Sequence, residues 1–297
     1  MNQAHQEPTE MKFPVPWGHI AAKSYGSSKE KKILVVHGIL DNAGSFDRLI
    51  KLLPEEYHYV CIDLPGHGLS SFLPSGGIVH FFDYVHSILL VLNALKWKTC
   101  IYIGHSFGAQ LGTYFSILYP GRLEKMIAID SVINPGIEGL ALVPYIRKVY
   151  SLYSSTERSE TLYSEDEIMQ ALKFKRKEVL RTEAAQALFK RAVTKVGDLY
   201  KYNRDSRLRH IPKPILTIKQ QIDIFSQFST PILVIIADNT HRINLLKGEL
   251  NAILSAADKS KFSVVTVKGN HDVHNNFPER VAPYIWKFLN NTLQSKL

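Results

Sequence analysis

The sequence predicts an α/β fold, with a mostly parallel sheet, helices on both faces and a helical cap inserted late in the chain. Three observations carry this. Short β-rich apolar runs alternate with longer stretches of helical spacing; the alternation lapses for about a hundred residues between Ser131 and Thr230; and it then resumes to the end.

The elements follow in order. Gly18 to Tyr25 (GHIAAKSY) alternates loosely, which suits an antiparallel edge strand. Lys32 to His37, Tyr57 to Asp63, Cys100 to Gly104, Lys125 to Asp130, Pro231 to Ala237 and Phe262 to Lys268 are short, largely apolar β-rich runs and read as buried strands. Ser45 to Leu53, Val79 to Leu95, Phe107 to Tyr119 and Glu279 to Leu293 carry apolar residues at helical spacing and read as crossover helices. The expected division is therefore a core of residues 1–130 and 231–297, with residues 131–230 as the cap. A structureless loop of that length does not suit a compact domain. Ser164 to Phe174, Lys175 to Arg191 and Ile215 to Phe228 are the expected cap helices, the first opening on a Ser164 and Glu167 capping box.

Of 297 residues, 45% are hydrophobic and 21% charged, enough for a buried core and unlike a disordered or fibrous chain. The greasy stretch 78–95 is interrupted by His80, Asp83, His86 and Asn93, so it does not read as a membrane span. The opening MNQAHQEPTEMKF lacks the basic start and apolar centre of a secretory signal. Cys61 and Cys100 both fall in strand-like runs, so neither a disulfide framework nor a zinc site is expected, and no cofactor is implied. The net charge is +9, and residues 141–213 alone hold 16 Lys and Arg against 9 Asp and Glu. No basic stripe interleaved with aromatics accompanies it, which argues against nucleic acid. That charge reads as a solvated helical face, or else as an attractor for an anionic substrate. The final Ser295, Lys296 and Leu297 match the tripeptide read by the peroxisomal import receptor, so a peroxisomal location is expected, with the cytoplasm as the alternative.

The chemistry centres on Gly104-His105-Ser106-Phe107-Gly108, a Gly-x-Ser-x-Gly motif between a strand and a helix. A strand turning sharply into a helix needs small neighbours and leaves the serine hydroxyl exposed where free N–H groups favour negative charge. A serine needs a base. His271, in Gly269-Asn270-His271 after the last strand, lies at the same carboxyl edge and is the expected one; His274, His67 and His37 are the other candidates weighed. The orienting acid is Asp130 or Asp238, both at strand ends, with Asp130 preferred because Thr240 fills the place where an acid often lies beyond the penultimate strand. The oxyanion donors are expected from the backbone N–H groups of Phe107 and, in His37-Gly38-Ile39, of Ile39.

Taken together, VPWGHIAAK, HGILDNAGSFDRLI, GHGLSS, GHSFG, YNRDSRLR and GNHDVH resemble the α/β-hydrolase fold and, within it, the serine hydrolase-like group that includes the insect protein Kraken and vertebrate relatives. The resemblance spans nearly the whole chain. It implies a serine nucleophile at Ser106, a histidine at His271 and an esterase-like or thioesterase-like activity. Epoxide hydrolases and haloalkane dehalogenases share the design but carry aspartate at the elbow, where this chain has serine. In YNRDSRLR, Arg204, Arg207 and Arg209 could grip a carboxylate or phosphate; the reading preferred is that Arg204 and Asp205 tie cap to core. The sequence thus predicts a serine hydrolase cleaving carboxylic esters or thioesters through an acyl-enzyme. The alternative is a non-catalytic or very slow ligand-binding protein of the same fold.

Overall fold

The computed structural model describes residues 7–27, 29–74, 79–134, 136–137, 139–154, 161–210, 213–241 and 243–293. The terminal tripeptide Ser295, Lys296 and Leu297 lies outside them.

Eight strands form one sheet: β1 (Thr9–Val15), β2 (Gly18–Tyr25), β3 (Lys31–Val36), β4 (Tyr57–Ile62), β5 (Cys100–His105), β6 (Leu123–Ile129), β9 (Ile232–Ala237) and β10 (Phe262–Val267), in the order β1-β2-β4-β3-β5-β6-β9-β10. From β4 to β10 all neighbours are parallel, while β2 pairs antiparallel with both β1 and β4. Alternate residues feed two cores. Leu34 and Val36 of β3 enter one with Tyr84, Ile88 and Leu111; Ile33 and Val35 enter the other with Phe46, Leu49 and Ile285. Each side chain so buried contributes about 1.5–3 kcal/mol, which is why these strands tolerate no polar alternation.

The helices of the core are α1 (Asp47–Ile50, entered through a 3-10 turn at Ala43–Phe46), α2 (Phe81–Ala94), α3 (Phe107–Leu118), α8 (Ile243–Ala256), α9 (Val273–Asn276) and α10 (Ala282–Leu289). Between β6 and β9 the chain inserts α4 (Leu142–Ser154), α5 (Glu165–Phe174), α6 (Thr182–Ala192), β7 (Val193–Val196), β8 (Leu199–Tyr202) and α7 (Ile218–Phe225). No helix among the described residues is long and apolar enough to cross a membrane.

Several elements differ from expectation. β1 carries charges and Pro14 and does not read as a strand, but it is the sheet's edge, where proline is tolerated. The insert is not wholly helical: β7 and β8 form a hairpin turning at Gly197, whose φ of +61° suits glycine. The expected helix from Lys175 to Arg191 begins only at Thr182, because the charges of Arg176 and Glu178 are spent on the core instead of on a helix surface. Helix α8 was not foreseen, its apolar pattern being diluted by Lys247, Gly248 and Glu249.

Candidate active site

Parallel register sets the site. Gly104 pairs with Val36 and with Ala128, His105 with Ile129, and Ile129 with Ile235, so β3, β5, β6 and β9 end along one edge. From β3 the chain steps to β4 on one side and then to β5 on the other, which opens a crevice between their carboxyl ends. At the end of β5 the chain reverses into α3. A Cβ on Gly104 would lie 2.6 Å from the Ala109 nitrogen, and one on Gly108 2.2 Å from the Val36 oxygen, so both glycines are demanded by backbone contact. Ser106 between them is strained, with φ +50° and ψ −113°. Asp130, first after β6, also has positive φ (+53°), as does Leu40 (+65°) in the loop after β3. Backbone strain gathers where the three strand ends meet.

The polar groups form a chain. The Ser106 hydroxyl, in a residue 8% exposed, donates to His271 Nε2 at 2.8 Å, and His271 Nδ1–H donates to Asp130 Oδ2 at 2.6 Å. Asp130 is fully buried, and its other oxygen accepts from the Ala237 N–H at 2.9 Å, so the carboxylate is held on both sides. Asp238 is exposed and accepts from the Gly269 N–H at 2.9 Å; it braces the ends of β9 and β10 and bonds neither His271 nor Ser106. The structure thus brings Ser106, His271 and Asp130 together and leaves Asp238 apart.

The remaining candidate histidines hold loops. His37 donates from Nδ1 to the Gly38 carbonyl (2.7 Å) and accepts the Leu64 N–H at Nε2 (2.9 Å). His67 donates from Nδ1 to the Pro65 carbonyl (3.0 Å) and accepts the Leu40 N–H at Nε2 (3.1 Å). A carbonyl only accepts and an amide only donates, so both rings are fixed as neutral tautomers. Burial pushes His37 down to about 4 and His67 down to about 3. Between them they pin the loop that carries Ile39. His274 is buried against His105 (ring centroids 3.9 Å) and Phe46 (4.8 Å), neither ring nitrogen has a partner among the described residues, and burial, with His105, His271 and Arg176 nearby, holds it far below the ordinary range.

Ile39, Phe107 and Ser106 all line one cavity of about 600 Å³. Phe107 is the first residue of α3, where the helical ladder leaves N–H groups unpaired, and its amide follows the serine directly. Serine, imidazole, buried carboxylate and amides beside the hydroxyl can together move a proton and stabilise negative charge on an attacked carbonyl. The elbow's His105 also lines the cavity, and its Nε2 donates to the His271 carbonyl (2.8 Å), tying that loop to the elbow.

Sequence reasoning missed a group supplied by the insert. Arg176 ion-pairs with Asp41 (2.7 Å) and Asp272 (2.8 Å), both nearly fully buried. Glu178 accepts from the His271 N–H and from the His241 ring at 2.8 Å. Asp41, Asp272 and His105 also bring donor atoms of metal-ligating type within 4.8 Å of one another, but the Arg176 guanidinium already supplies the cation between the two carboxylates. The expected tie through Arg204 and Asp205 is corrected in one partner. Arg207 pairs with Asp205 (2.6 Å) and donates to the Leu73 and Pro74 carbonyls, whereas Arg204 lies over the Tyr202 ring at 4.7 Å and lines the cavity.

A sequence profile for the α/β hydrolase fold matches residues 31–278 of this chain. Human serine hydrolase-like protein 2 is 35% identical over 96% of this chain and 95% of its own length. The chain belongs to the serine hydrolase-like group of the α/β-hydrolase family. Solved structures agree in fold. A hypothetical protein of Pseudomonas aeruginosa PAO1 superposes with a TM-score of 0.85 at 24% identity, covering 95% of this chain and 99% of that one. The thioesterase domain of the curacin biosynthetic pathway superposes with a TM-score of 0.78 at 19% identity, covering 94% and 98%. Family and fold support a hydrolase.

Proposed function

We propose that this α/β hydrolase is a serine hydrolase of carboxylic esters or thioesters. Ser106 attacks the acyl carbon as His271 takes its proton, Asp130 holds the imidazole in the required tautomer, and the Ile39 and Phe107 amides receive the oxyanion. Collapse of the tetrahedral intermediate expels the alcohol or thiol with the proton returned by His271, and water activated by the same imidazole then releases the acid. The observation that carries this is the unbroken chain Ser106 Oγ, His271 Nε2 (2.8 Å), His271 Nδ1, Asp130 Oδ2 (2.6 Å), on a serine held in strained conformation.

The cavity has two characters. Ile39, Leu40, Phe107, Ala171 and Leu172 offer it an apolar wall suited to an acyl chain. Lys175, Lys177 and Arg204 line it as well, and none of the three is in an ion pair among the described residues. A thioester with an anionic leaving group, such as an acyl-CoA, fits that pairing. Turnover of short acyl p-nitrophenyl esters and of an acyl-CoA panel tests it, with Ser106→Ala as the control. Activity retained after that substitution would remove Ser106 from the mechanism, and indifference to leaving-group charge would remove the cationic side. The peroxisomal destination belongs to the same proposal and rests on Ser295, Lys296 and Leu297 alone. A fluorescent fusion with and without the tripeptide reads it directly.

A further inference from the structure

Residues 175–181 of the insert form an irregular strap between α5 and α6, laid along the loop that carries His271. Asn270 and Asn276 both donate to the Val179 carbonyl (3.0 and 3.1 Å), and the Arg181 N–H donates to the Asn276 side chain (2.8 Å). At its start, Arg176 sends one guanidinium nitrogen to Asp41 and the other to Asp272. These carboxylates sit on different loops. Asp41 closes the turn Gly38–Asp41 (N–H to carbonyl 3.2 Å), which presents the Ile39 amide, and Asp272 follows His271 directly.

We propose that Arg176 is a positioning residue that sets the oxyanion loop and the base loop against each other, so that the site is complete only with the strap in place. This rests on the serine hydrolase reading above. Two buried carboxylates this close repel each other and each demand a counter-charge. A planar fork with separated donors meets both in one fixed geometry; an ammonium is a point charge on a flexible stem and does not set their spacing. Burial works against a charged Arg176, but Asp41 and Asp272 outweigh it and the guanidinium stays charged throughout the working range. The chain therefore uses a residue 96 positions before Asp272 and 135 after Asp41 to fix the spacing of their loops. A displacement of about 1 Å in such a site costs roughly 100-fold in rate.

Three variants separate positioning from simple stability. Arg176→Lys keeps the charge but loses the rigid fork; Arg176→Ala removes the bridge; Arg176→Ala with Asp41→Asn and Asp272→Asn removes bridge and repulsion together. Purified variants are compared by thermal midpoint, by kcat and KM on a p-nitrophenyl ester, and by the rate of fluorophosphonate labelling. The expected result is a kcat lower by roughly 100-fold in Arg176→Ala, a partial recovery in Arg176→Lys, little change in KM, and a triple variant with a recovered midpoint whose labelling stays slow. A parental kcat in Arg176→Lys, or a triple variant that regains both midpoint and parental labelling rate, would overturn the positioning role. Turnover surviving in Ser106→Ala would instead overturn the reading beneath it, so the two failures are told apart.

Discussion

The carboxyl edge of the sheet and the strap of the insert place polar groups in the same cavity by opposite means. At the sheet edge, position follows from backbone. Ser106 N–H bonds the Ile129 carbonyl (2.9 Å), Asp130 N–H bonds the Ile235 carbonyl (2.8 Å), and the strain at both residues is held by parallel register. In the strap, position follows from charge: Arg176 is anchored by two carboxylates and Glu178 by the His271 amide, with no ladder beneath them. The lesson is that backbone-held groups can be read from local pattern, while charge-held groups depend on partners that only the folded chain reveals.

The comparison can be broken at the sheet edge. Asp130→Asn should lower kcat by about 10⁴-fold, because the amide no longer fixes the proton on His271 Nδ1. Asp238→Asn, which disturbs one exposed contact to Gly269, should stay within a few-fold. Equal losses in steady-state assays would mean that strand-end position alone does not select the acid. Next in size is Gly108→Ala, whose new Cβ would meet the Val36 carbonyl at 2.2 Å. Backbone cannot yield as a side chain does, so a loss of about 3 kcal/mol is expected, read by denaturant titration; an unchanged midpoint would show that the elbow is looser than its geometry implies.

A smaller effect comes from pH. His37 and His67 are held at about 4 and about 3 by burial, below the ordinary value near 6.5. Above that value neither state binds the proton and nothing is lost. As pH falls below it, the unfolded chain takes up protons the native rings refuse, so stability falls by up to about 1.4 kcal/mol per pH unit for each ring until the native value is reached. Thermal midpoints from pH 7.5 to 4.5 should therefore decline, and His67→Asn should flatten the slope; a flat profile in the parent would contradict the neutral-tautomer assignment.

Much of the core was legible. Apolar runs marked β3 to β6 and β9, strands covered on both faces; β10, the far edge, has only Phe262 and Val267 buried and was marked by its β-rich run alone. The glycines around Ser106 announced a close approach, His271 and Asp130 could be proposed because strand ends share an edge, and Thr240 in the usual acid position already favoured Asp130 over Asp238; the bond from His271 to Asp130 is seen only in the folded chain. The insert was less legible. Lys175-Arg176-Lys177-Glu178 looks like a solvated helical face, and nothing local says that Arg176 will be buried between Asp41 and Asp272. Asp41 and Asp272 likewise carry no local sign of that pairing. In the arginine-rich segment, composition pointed to a tie between insert and core but not to Arg207 as its agent. The thiols needed no such context: burial pushes Cys100 up to about 12 and Cys61 higher still, as their apolar runs implied.

The most direct measurement is intact-protein mass spectrometry after brief exposure to a fluorophosphonate, followed by peptide mapping, on the parent and on His271→Ala. One adduct per chain on Ser106, forming orders of magnitude more slowly without the imidazole, is what the 2.8 Å contact predicts. A folded parent that takes up no label, or labels as fast without His271, would contradict it.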